Sequence, residues 1–212
     1  TGAAGASELT LSGAMDLTIT ASLDAAVTTI NGSAMTGAMT VTQDAAANIT
    51  VTGGSDNDSI DLGGDNFDGN DTVNGGAGSD TLSIEEDDAI ALTTAAVELT
   101  KISNIEIINL TDTLAGNVTL AFFGAATTLE LSAGIDANDR TLTLVSGDTI
   151  DLEADAGDDI TIIASGSGTS DIVNLTLNNA DIAANIQAAT VETLNITTTG
   201  TADAGVNTIT GT

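Results

Sequence analysis

The stretch Gly75-Gly76-Ala77-Gly78-Ser79-Asp80-Thr81-Leu82-Ser83 reads G-G-x-G-x-D-x-U-x, where U is a large apolar residue. The glycines suit a tight turn with φ > 0, which side chains with a Cβ disfavour. Such a turn aims carbonyl oxygens and one carboxylate at a common point. The x-U-x half reads as a short strand whose apolar residue faces inward. A hard cation with a preference for oxygen, above all Ca²⁺, suits the space between two stacked turns of this kind.

The flanking sequence repeats the theme. Nine residues upstream, Asn66-Phe67-Asp68-Gly69-Asn70-Asp71-Thr72-Val73-Asn74 keeps Gly at position four, Asp at six and an apolar residue at eight. It lacks the opening glycine pair. Gly53-Gly54-Ser55-Asp56-Asn57-Asp58-Ser59-Ile60-Asp61 keeps the pair, the position-six Asp and the apolar residue, with Asp at position four. Leu62-Gly63-Gly64-Asp65 interrupts the register between them.

Over residues 53–83 the chain resembles the RTX (repeats-in-toxin) family, and within it the bacterial surface-layer proteins and large adhesins. The resemblance implies a Ca²⁺-loaded parallel β-roll in which the position-six aspartates Asp58, Asp71 and Asp80 hold the ion. It further implies turn oxygens at Gly75 and Ala77 and the neighbouring acids Asp56, Asp61, Asp65 and Asp68 as ligands. The first two copies depart from the pattern at positions one, two or four.

Composition narrows the function classes. The 212 residues carry 31 acids against Lys101 and Arg140, a formal net charge of −29. Nothing here could neutralise phosphates, so nucleic acid is not an expected partner. Self-repulsion of this size opposes compaction, and bound divalent cations would relieve it. There is no Cys and no His, which removes disulfides and most nucleophile–base pairs. Aromatics are 1% and are all Phe, so the core must be built from Val, Ile, Leu, Met and Ala. No apolar run approaches the ~20 residues that span a bilayer. The chain opens on Thr1 without a signal peptide and reads as a processed or excised segment of a longer protein.

Short strands with alternating apolar and Thr residues recur along the sequence. They include Leu9–Leu11, Leu17–Thr20, Val27–Ile30, Met39–Thr42, Ile49–Thr52, Leu129–Leu131, Leu142–Leu144, Ile150–Leu152, Ile160–Ile162, Val173–Leu177 and Leu194–Ile196. Alternation gives one buried and one solvated face. Helix is expected only at Ile90–Leu99 and Asp181–Ala189. A longer repeat joins residues 78–111 to residues 168–199. In it an Asp-led strand (Asp80-Thr81-Leu82, Asp171-Ile172-Val173) is followed by an I/V-E-x-I/L-N-U-T strand, Ile105–Thr111 and Val191–Thr197. Repeats of one supersecondary unit point to a solenoid. The expected fold is therefore an all-β parallel β-solenoid over residues 1–212, one elongated domain with about ten coils of roughly 20 residues. Tandem β-sandwich domains are the alternative, weakened by the absence of Trp, Tyr and Pro.

Three other features invite chemistry. The acid pairs Glu85-Glu86, Asp87-Asp88 and Asp158-Asp159 could serve hydrolysis, but neighbours on a strand point to opposite faces, so no enzyme is expected. Asp155–Asp159, Gly147-Asp148 and Asp136–Asp139 resemble weaker cation turns, with Arg140 an alternative partner for a carboxylate. Thr-x-Thr runs such as Thr50/Thr52 could form a binding face. The sequence thus leads to a secreted, cell-surface structural protein: Ca²⁺-stabilised, assembling with copies of itself into a surface layer, filament or matrix, without membrane insertion. The alternative is an adhesin module that binds polysaccharide or ice.

Overall fold

A computed structural model describes residues 6–20, 23–43, 48–63, 67–95, 101–166, 168–182, 185–200 and 208–210, with the side chains of 93–95 and 208–210 left aside. The chain is nearly all β, wound as a parallel β-solenoid of about eight turns. Among the described residues the strand pairings between successive coils are parallel, so paired antiparallel sandwiches are ruled out for these residues. The chain divides into two compact units, Thr1–Ile108 with Phe123–Ala126, and Asn109–Phe122 with Thr127–Thr212.

In the first unit, consecutive strands alternate between two parallel sheets. One sheet holds β1 (Glu8–Gly13), β3 (Thr29–Met35), β5 (Thr50–Thr52), β7 (Thr72–Asn74) and β9 (Ile102–Ser103). The other holds β2 (Leu17–Ile19), β4 (Met39–Thr42), β6 (Ser59–Asp61) and β8 (Thr81–Ile84). The apolar half of each alternating triplet stacks in register. Ile30 lies on Val51 and Val51 on Val73 in one sheet. Ile19, Val41, Ile60 and Leu82 form the matching column in the other. Thr18, Thr40, Ser59 and Thr81 form an outward row beside it.

The second unit repeats this plan. β12 (Thr128–Leu131), β14 (Thr149–Leu152), β16 (Ile172–Asn178) and β18 (Thr193–Thr199) make one sheet. β11 (Val118–Thr119), β13 (Arg140–Leu144), β15 (Ile160–Ala164), β17 (Asn185–Ala189) and β19 (Thr208–Thr210) make another. A third, shorter wall is a row of single bridges from Leu114 through Ile135 and Ala156 to Ile182, all buried. β10 (Ile107–Leu110) spans the division between the units in sequence.

Two helix expectations meet different outcomes. α1 occupies Glu86–Ala95, four residues earlier than expected, and residues 96–100 lie outside the described set. Its first turn carries Glu86, Asp87 and Asp88, which suits the positive end of the helix dipole. The expected helix at Asp181–Ala189 is absent: Asn185–Ala189 is a strand paired with β15 and β19. Stacking Ile186 on Ile160 and Ala188 on Ile162 outweighs the helical preference of the alanines. Coil length also varies. Val73 pairs with Ile102 across the excursion that contains α1, and coils such as Ile150 to Leu175 and Ile160 to Ile186 are also longer than expected, so the turns number about eight rather than ten.

Ile60 is fully buried between Val41 and Leu82. Ile60→Ala should cost about 2–5 kcal/mol through lost burial and the cavity left behind. Urea unfolding followed by circular dichroism should show a lowered midpoint with unchanged slope.

Candidate functional site

The Gly/Asp turns are built around buried carboxylates. Asp58, Asp71 and Asp80 expose 2%, 2% and 0% of their surface. Each stands just before a strand, at the corner where the backbone leaves the turn and the regular ladder has yet to begin. Asp58 Oδ1 accepts the Met39 N–H at 2.7 Å, from the coil 19 residues earlier. Its Oδ2 accepts the N–H of Gly54 within the same turn. Asp71 repeats the arrangement, with Oδ1 accepting from Ile49 N at 2.7 Å and Oδ2 from Asp68 N at 2.7 Å. Asp80 Oδ1 accepts from Asp58 N at 2.7 Å, 22 residues earlier.

The glycine pairs now have a specific cause. Gly53 and Gly75 do not sit at positive φ. A Cβ on Gly53 would collide with the Gly75 carbonyl of the next coil and with the Asp58 carboxylate. A Cβ on Gly75 would meet the Asn104 carbonyl and the Asp80 carboxylate in the same way. The two turns then diverge. Gly76, at φ +105°, sends its N–H to Asn74 Oδ1 at 3.1 Å. Asp80 Oδ2 is consequently buried with no hydrogen-bond partner. Burial pushes the Asp80 carboxyl above its ordinary range; the Asp58 N–H lowers it, and the Asp58 and Glu106 carboxylates raise it further. Burial also raises Asp71, against the two amides that favour its anion.

The long internal repeat is a second device of the same kind. In the first unit Glu106 Oε2 accepts the Asp80 N–H at 2.9 Å, while the Glu106 and Ile107 N–H groups both donate to Asp80 O at 3.1 Å. In the second unit Glu192 Oε2 accepts the Asp171 N–H at 2.7 Å, and the Glu192 and Thr193 N–H groups donate to Asp171 O at 3.1 and 3.0 Å. The sequence showed the Asp…Glu pattern in both copies but not the reason for it. Glu106→Ala and Glu192→Ala should each cost about 1–3 kcal/mol, because a buried amide next to a carbonyl loses a charged acceptor. Chemical denaturation of both variants checks this, with similar losses expected from the two equivalent positions.

The remaining expected ligands scatter. Asp56 is exposed and accepts the Asn57 N–H. Asp61 is half-buried on β6 and accepts from Gly63 N at 3.0 Å. Asp68 is exposed and accepts from Asn70 N at 2.6 Å. Gly75 N and Ala77 N donate to Ser103 O and Gly54 O at 3.0 Å, each closing a coil-to-coil contact. Asp65 lies outside the described residues. Of the turns in the second unit, Asp148 is buried and its Oδ2 accepts from Val145 N at 2.8 Å. Arg140 pairs with Asp136 through two contacts, 2.9 and 2.6 Å, which holds the Asp136 carboxyl below the usual carboxylate range. Among the described residues one trio of carboxylates converges, Asp139, Asp158 and Asp159, with oxygens within 4.8 Å of one another. Asp159 already accepts from Asn185 N and Nδ2 at 2.8 and 3.1 Å.

One further cluster was not foreseen. Glu130 and Asp151 are in-register neighbours on β12 and β14, on the outward face, with Glu153 just beyond. Ser132 Oγ donates to Glu153 Oε2 at 3.3 Å and Asn178 Nδ2 to Glu153 Oε1 at 3.2 Å. Asp151 Oδ1 is a buried oxygen with no partner. Burial, then the neighbouring carboxylates, raise both Glu130 and Asp151 above the ordinary range. A raised folded value means that this cluster favours folding below the unfolded pKa, and that the advantage is lost as pH rises through the folded value. Glu130→Gln should therefore raise stability at pH 7, by about 0.2–1 kcal/mol for one like-charged cross-strand pair removed, and leave it unchanged near pH 3. Thermal melts of both proteins across that range check the sign.

No family model, curated protein or solved structure matches the chain. No helix among the described residues is long and apolar enough to cross a membrane. The cation implied by the RTX resemblance is therefore judged on the turn geometry. Ca²⁺ takes about 6–8 oxygens, several of them carboxylate. Both oxygens of Asp58 and both of Asp71 already accept backbone N–H groups. The position-six acids stand one per turn, and no three of the motif acids converge among the described residues. These two turns do not fit a calcium cage.

Proposed function

We propose that this chain is a structural subunit of an extracellular assembly: a self-associating β-solenoid of a surface layer, filament or matrix rather than an enzyme. The observation that carries this reading is where the acids are used. Side chains that a catalyst would converge on a substrate instead bind the chain's own backbone, coil after coil. The outer faces offer regular uncharged rows, such as Thr128, Thr149, Asn174 and Asn195, with Asn195 Nδ2 donating to Asn174 Oδ1 at 3.0 Å. Flat, repetitive polar rows suit contact with a repetitive partner, and a second copy of the chain is the most regular partner to hand. Leu194 and Ile196 on β18 are half-buried, whereas Val173 and Leu175 in the same columns are buried. That column favours continuation by a further strand.

Divalent cations such as Ca²⁺ enter this reading as counter-ions. With 31 acids against 2 bases, exposed carboxylates repel a second copy, and screening lets copies approach. The same outward rows also favour the second reading, an adhesin module that holds a polysaccharide. Sedimentation velocity over rising protein concentration, with millimolar Ca²⁺, should show association that weakens when the salt is diluted. A chain that stays monomeric throughout, yet sediments with an added polysaccharide, would favour the adhesin.

A further inference from the structure

We infer that Asp58 and Asp71, the position-six aspartates of the first two Gly/Asp turns, are metal-independent clamps that close each turn onto the coil before it. Each carboxylate joins two backbone N–H groups that would otherwise be orphaned at a coil corner: one from its own turn and one from the preceding coil. A buried amide without a partner is costly, and a carboxylate is its strongest small acceptor. The role is filled without an ion.

The same chemistry recurs where no glycine-rich motif exists. Asp148 follows Val145-Ser146-Gly147, is buried, and accepts the Val145 N–H three residues back, as Asp71 accepts that of Asp68. Asp155 accepts Asp181 N at 2.9 Å and Asn117 accepts Thr141 N at 2.8 Å, both between coils. Asn117 makes its contact with a neutral amide oxygen, so satisfying a backbone N–H between coils does not depend on a carboxylate. Asp80 is the exception that marks the limit of the inference. Its Oδ2 lacks the in-turn donor that Asp58 has, because Gly76 N points to Asn74 instead. The clamp assignment covers Asp58 and Asp71, and it holds whether or not the chain assembles.

The test is thermal unfolding of the full chain, followed by circular dichroism in EGTA, in CaCl₂, in MgCl₂, and in NaCl at matched ionic strength. The expected result is an intact β signal in EGTA, with CaCl₂ and MgCl₂ raising the midpoint equally. Asp58→Asn and Asp71→Asn each leave one backbone N–H facing an amide donor. Both should lower the midpoint by about 5 °C, equally in EGTA and in CaCl₂, and Asp148→Asn should lower it less, because an amide oxygen still serves its Val145 donor. Loss of the β signal in EGTA, restored by Ca²⁺ but not Mg²⁺ in the native chain and not restored in Asp58→Asn or Asp71→Asn, would overturn the inference. A calcium-specific gain abolished only by Asp80→Asn would uphold it, since the ion would then sit at the one position-six carboxylate oxygen without a donor. If a variant fails to fold, the chelator comparison on the native chain still decides.

Discussion

A parallel solenoid satisfies its strand amides easily and its corners badly. Along β6 or β14 successive N–H groups find carbonyls on the coils to either side, but where the chain leaves a turn the ladder has not begun. The backbone there still carries donors that burial would orphan. In this chain the donors of Met39, Ile49, Gly54, Asp58 and Asp68 are met by carboxylates of Asp58, Asp71 and Asp80. Charged acceptors make shorter and stronger bonds than neutral ones. The position of the acids then follows from the position of the unsatisfied amides.

Side-chain length decides which acid serves. Asp58 and Asp71 stand at the corner and reach an amide three or four residues back as well as one on the neighbouring coil. A longer side chain would overshoot the in-turn donor. Glu106 and Glu192 sit on the next coil, donate their own N–H groups to the Asp80 and Asp171 carbonyls, and bring a longer side chain back to the N–H of the same residue. The glycines complete the fit by removing the Cβ that would separate Gly53 from the Gly75 carbonyl. Gly pair and carboxylate therefore form one device, because the space emptied by the first is where the second lies.

This explains which parts of the structure were legible in sequence. Alternating triplets such as Met39-Thr40-Val41 announce both a strand and its buried face, and solenoid stacking preserves that simple period. The G-G-x-G-x-D-x-U-x pattern at residues 75–83 and its two degraded copies made the turns visible too. What could not be read was the direction of a hydrogen bond. An Asp beside glycines has the same composition whether its oxygens meet an ion or two amides, and only the path of the neighbouring coil separates the cases. Asn185–Ala189 failed for a related reason: its alanines favour helix locally, and the partners that impose a strand, Ile160 and Ile162, are distant in sequence. The Glu130–Asp151 contact was hidden likewise, since two ordinary outward acids become neighbours only through register.

The clamp also bears on how so anionic a chain packs at all. A carboxylate that accepts two amide hydrogens places its charge against fixed partial positive charge, so burying it costs less than burying a bare anion, although burial still raises Asp71. The acids left over are turned outward, where water screens them. The exceptions are carboxylates with one buried oxygen left unmet. Asp80 Oδ2 and Asp151 Oδ1 are buried without a donor, and both carboxyls are raised above the ordinary range, first by burial and then by neighbouring acids. Two oxygens of one chemical kind thus mark where the coil-to-coil pattern of donors runs out, one in each unit, and those are the places where a proton or a cation has something to supply.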